Sequence, residues 1–135
     1  MSVLRRVVLA VVFAWFLFGG IGHFVDAAFF AGIVPPYIPF PRAAVAISGA
    51  LELLGAIGLL FARTRAAAGL GLFALTICVT PANLNMWLHP QQFPQFHPTF
   101  LAVRLALQPL LLLGIWWSTR RVGDDAGRRA ADGAQ

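Results

Sequence analysis

The chain is short of the residues on which many activities depend. It has one cysteine, Cys78, so neither a disulfide nor a dithiol redox pair can form within it, and thiol chemistry would need a partner. Charged residues make up only 11% of its 135 residues, too few for the surface of an ordinary soluble globule. No glycine-rich phosphate loop, haem attachment motif, zinc signature or internal repeat occurs, so no cofactor is encoded in a recognisable form. His89 and His97 lie in a proline-broken stretch without the tight spacing of metal ligands on one helix, and no metal site is assigned. The net charge of +5 is not gathered into a basic patch with interleaved aromatics, which argues against nucleic acid.

What is present is apolar length: 59% of the chain is hydrophobic. A membrane-spanning helix needs about 20 largely apolar residues, and four such stretches are read at about 7–30, 43–62, 66–88 and 99–118. The expected architecture is all-α: a polytopic four-helix transmembrane bundle over residues 1–121, with a disordered tail over 122–135, rich in small and charged residues. Arg5 and Arg6 precede the first stretch, Arg63 and Arg65 separate the second from the third, and Arg120, Arg121, Arg128 and Arg129 follow the fourth. With an even number of spans these eight share one side, so the positive-inside rule predicts cytoplasmic termini and a multi-pass protein of the inner (plasma) membrane. The first stretch has the arginines of a signal peptide but the length of a span, and is read as a retained helix.

Two loops face the opposite side. "VPPYIPFP" has four prolines in eight residues, which stiffen it as an interfacial connector or as a lid over a pocket; Tyr37 and Phe40 suit the lipid headgroup level. "HPQQFPQFHP" has no formal charge. Glycines inside the spans serve close helix approach.

Polar side chains within a span are costly, roughly 2.5–3.5 kcal/mol for a central charge, and so face the bundle interior. Glu52, the only glutamate, sits amid "ISGALELLGAIGLL". At about 1.5 Å rise per residue, His23, Glu52, Asn83 and Arg104 fall at similar depth, one from each span. Helical stripes extend the set: Gly19, His23 and Asp26; Ser48, Glu52 and Gly55; Thr76, Thr80 and Asn83; Arg104 and Gln108. Asn85 is a further polar neighbour. Pro81 and Pro109 free backbone acceptors within two spans, which suits either a hydrated pocket or a packing kink. The expected arrangement pairs Glu52 with Arg104, with His23 and Asn83 adding hydrogen bonds. It serves either as a structural ion pair or as a functional pocket in which His23 shuttles protons.

"GHF" at 22–24, "VPPYIPFP", "ISGALELLGAIGLL", "TR" at 64–65 and "PANLNM" at 81–86, in that order over about half the chain, together resemble the DoxX family of small bacterial membrane proteins. The resemblance implies a four-helix membrane bundle, with some relatives acting as subunits of quinone-linked oxidoreductases or of membrane redox-defence assemblies. It transfers no catalytic residues, and this chain lacks the cysteine pair of some thiol-active relatives.

Three functions follow as alternatives. The first is a redox-associated subunit binding a quinone headgroup, where Arg104, Asn83 and His23 donate, Glu52 relays protons and a protein redox partner supplies electrons. The second is a noncatalytic anchor or assembly protein whose polar layer is structural. The third is a small-solute or proton pathway, for which a homo-oligomer is needed. Membrane lipid is a partner in each.

Overall fold

A computed structural model describes residues 1–121 and 129–134. Among the described residues the regular structure is entirely helical. Helix α1 is Val3–Val25, α2 is the short Ala27–Ile33, α3 is Pro41–Leu60, α4 is Arg65–Leu88 and α5 is Pro98–Thr119. Four of them, α1, α3, α4 and α5, are long and apolar enough to cross a membrane. Large apolar side chains along them, such as Val11, Phe18, Leu54, Leu70 and Leu113, lie exposed.

Local chemistry sets the helix starts. The Ser2 side chain accepts from the Arg5 N–H at 3.3 Å, and His97 Nδ1 accepts from the Thr99 N–H at 3.2 Å, so each caps a first turn. Pro41 and Pro98 stand at the first helical position, where a missing N–H costs nothing. Pro81 and Pro109 lie inside α4 and α5, both of which continue through them.

The four long helices form a ring in which α1 packs on α3 and α5, and α4 packs on α3 and α5. Two apolar clusters hold it together. Val12, Phe16, Ala56, Leu59, Leu72 and Ile115 fill the arginine-rich half, and Ile33, Met86, Phe93 and Leu101 fill the opposite end. Along α4 the order is Leu72, then Thr76, Thr80 and Asn83, then Met86; along α5 it is Leu101, then Arg104 and Gln108, then Ile115. A polar layer therefore separates two greasy ones.

The stretch expected to run unbroken to Phe30 instead stops at Val25. Asp26 leaves helical geometry at φ −127° and ψ 53°, as suits a residue whose side chain competes with the helix backbone. Beyond it α2 turns back over the bundle end, burying Ile33 and bringing Phe29 edge-on to Phe96 at 5.7 Å. The break exchanges a continuous helix for burial of apolar residues. Of the tail expected at 122–135, positions 122–128 and 135 lie outside the described residues, while 129–132 form a helical turn.

Candidate functional site: a cavity between two polar walls

His23 and Glu52 form the first wall, where α1 crosses α3. The helices approach closely because glycine faces each polar side chain. A Cβ on Gly49 would lie 2.6 Å from His23 Cβ, and one on Gly19 would lie 2.7 Å from Glu52 Oε2. His23 Nδ1 lies 3.0 Å from the Val45 carbonyl and 3.0 Å from Ser48 Oγ, while the Ser48 hydroxyl donates to the same carbonyl at 3.1 Å. A carbonyl can only accept, so Nδ1 carries hydrogen. The other ring nitrogen, Nε2, is 3.4 Å from Glu52 Oε1. With Nδ1 occupied, the pair in its net-neutral state holds one further proton, on Nε2 as imidazolium–carboxylate or on Glu52 as carboxylic acid beside a neutral ring. Phe30 covers the imidazole, with ring centroids 4.3 Å apart.

The second wall joins α4 to α5. Arg104 Nη2 donates to Asn83 Oδ1 at 3.1 Å, and its Nη1 lies 3.6 Å from Met86 Sδ. One helical turn further along α5, Gln108 Oε1 accepts from the Thr80 hydroxyl at 3.3 Å. That hydroxyl also reaches the Thr76 carbonyl at 2.8 Å, which in turn follows a Thr76 hydroxyl bond to Leu72.

The expected Glu52–Arg104 pair is not formed. The acid–base contact of the layer is His23–Glu52, and Arg104 is held by an amide. The ring order explains this: Glu52 projects at the α1–α3 seam and Arg104 at the α4–α5 seam, and these helices stand across the bundle from each other. Depth and face describe one helix at a time, and neither reveals which neighbour a helix has.

A cavity of about 810 Å³ lies between the walls and is lined by His23, Ser48, Glu52, Asn83, Arg104 and Gln108. The rest of its lining is largely apolar. Val34, Pro35 and Ile38 of the proline-rich segment line it as well. Exposed Trp15, Phe18, Ile47 and Leu51 also border it, so it reaches the apolar flank of the bundle.

Three expected members stand apart. Asp26 is exposed at the helix break and does not share the inward stripe of Gly19 and His23. Asn85 donates to the Ile33 carbonyl at 3.4 Å and holds α2 in place. Thr80 supports Gln108 rather than lining the cavity. His89 and His97 serve helix ends: His89 Nδ1 donates to the Asn85 carbonyl at 3.0 Å, and His97 caps α5. Sequence reasoning missed Met86 and Phe30. Met86 lies one turn beyond Asn83 and was legible from spacing; Phe30 reaches His23 only through the break at Asp26.

Over residues 10–120 the chain matches the family described as Domain of unknown function (DUF8561), and it belongs to that family. No curated protein and no solved structure matches it.

Proposed function

We propose that this family member is a multi-pass protein of the bacterial inner (plasma) membrane, with cytoplasmic termini, that acts as the membrane subunit of a redox-associated complex and takes a quinone headgroup into its cavity. The observation that carries the reading is the pair of polar walls facing each other across a largely apolar cavity that reaches the bundle's flank. A quinone has two carbonyl acceptors on opposite sides of one ring and an apolar tail. On one wall Arg104 donates, and the Asn83 and Gln108 amides, whose oxygens are already engaged, have N–H groups to offer. On the other wall stands the proton shared by His23 and Glu52. Reduction to the quinol adds two electrons and two protons to the ring oxygens; the His23–Glu52 pair is placed to pass protons, and a partner protein delivers the electrons. The DoxX-like motifs support the same reading.

Intramolecular satisfaction of the layer favours a second reading, a noncatalytic anchor or assembly protein. His23, Glu52, Asn83, Arg104 and Gln108 all have protein partners, as a purely structural network requires. Mass spectrometry of lipid extracted from the purified protein separates the two. Quinone bound stoichiometrically, with a rise in Tm on adding more, supports the first. Absence of quinone together with an unresponsive Tm leaves the second.

A further inference from the structure

A second cavity, of about 460 Å³, lies at the arginine-rich end and is lined by Arg5, Arg63, Arg65, Arg120, Arg121 and Thr119 among others. Its arginines come from three separate segments: the start of α1, the α3–α4 turn and the end of α5. Charges needed only to orient a membrane protein have no reason to converge on one hollow, since splaying into water keeps them apart. Two are fixed by backbone. Arg5 Nε donates to the Ser118 carbonyl at 3.1 Å and its Nη2 to the Arg120 carbonyl, and Arg65 Nε donates to the Leu59 carbonyl at 2.9 Å. Arg63 and Arg121 are exposed and make no hydrogen bond or ion pair among the described residues. The carboxylates among those residues are Asp26, Glu52 and Asp132, and none of them lines this cavity.

We propose that this cavity binds a phosphate oxyanion, the group carried by anionic phospholipid headgroups and by free phosphate. Guanidinium forks match phosphate oxygens in geometry as well as charge. A basic pocket between helix ends is also a recurrent seat for anionic headgroups. Arg5 and Arg65 shape the walls, and Arg63 and Arg121 supply the uncommitted charge. The lipid source rests on the membrane reading of the four helices, the oxyanion site does not, and neither rests on the quinone.

The test uses the full chain purified in detergent, with phosphatidylglycerol, phosphatidylcholine or inorganic phosphate added, read by native mass spectrometry and thermal unfolding. Retention of phosphatidylglycerol over phosphatidylcholine is expected, with a raised Tm. At about the strength of one surface arginine each, Arg63→Gln and Arg121→Gln weaken binding roughly fivefold singly and roughly thirtyfold together. Arg42→Gln, at the opposite end of the bundle, leaves it unchanged. Stabilisation by phosphatidylglycerol but not by phosphate assigns a lipid headgroup; equal stabilisation by phosphate assigns a soluble ion. The proposal is overturned if neither anion binds above phosphatidylcholine, or if Arg42→Gln weakens binding as much as the double substitution does.

Discussion

Gly49 lies directly beneath His23: a methyl group added at Gly49 would fall 2.6 Å from His23 Cβ. The obstructed atom is fixed to the α1 backbone and cannot swing away, so Gly49→Ala must push α1 from α3. Gly19→Ala meets only the end of the Glu52 side chain, which can rotate. We expect Gly49→Ala to destabilise the bundle by about 1–3 kcal/mol, as overpacking does, and Gly19→Ala to leave the fold intact while separating Glu52 from His23. Thermal unfolding checks the first, and the His23 ring resonances the second. Equal losses of stability would show that the two glycines do not play these separate roles.

Coupling within the polar layer follows the seams. A double-mutant cycle of His23→Ala with Glu52→Gln should show an interaction energy of about 0.5–3 kcal/mol, whereas Glu52→Gln with Arg104→Met should be additive within about 0.5 kcal/mol. Strong coupling in the second cycle would place Glu52 and Arg104 in contact.

Removal of Asn83 and of Gln108 should have different consequences. Asn83→Leu takes the amide acceptor from the half-buried Arg104, so a loss of about 1.5–3 kcal/mol is expected. Gln108→Leu leaves the Thr80 hydroxyl its bond to the Thr76 carbonyl, and stability should change by under about 1 kcal/mol while quinone retention is lost. Tm and quinone content measured on the same preparations check both. Full quinone retention in the stable Gln108→Leu protein would remove that amide from the binding role.

Phe40 is the one non-glycine residue at positive φ among those described, at 53°, and it is 79% exposed. A left-handed conformation costs an ordinary residue about 1–2 kcal/mol, and little packing is lost on removing this ring. Phe40→Gly should therefore raise stability by up to about 1 kcal/mol in detergent unfolding. Destabilisation would mean that the ring makes contacts which outweigh the strain.

Much of this was legible in the sequence because helices long and apolar enough to cross a membrane obey one dominant constraint. Twenty apolar residues in a row announce a helix of bilayer length, and a polar residue within one announces its inward face; hence the sequence groups Ser48, Glu52, Asn83, Arg104 and Gln108. Pairing was not legible, because periodicity describes one helix at a time and ring order depends on how four of them pack. Asp26 misled for a related reason. Its seven-residue offset from Gly19 presumes an unbroken helix, and the chain bends at that residue. Arg5 looked like a topological flag because position alone does not disclose that it holds the last carbonyls of α5.

Among the described residues the polar contacts of the layer stay within one seam: His23 with Val45, Ser48 and Glu52 between α1 and α3, and Asn83, Arg104, Gln108 and Thr80 between α4 and α5. At the arginine-rich end, by contrast, Arg5 ties α1 to the carbonyls of α5. The bundle is thus built like a clothes-peg. Its two jaws are each stitched internally and joined at one end, and parting them at the layer breaks no hydrogen bond there. Among the described residues, widening of the cavity is resisted by apolar packing and by the strap of α2 that Asn85 fastens across the open end.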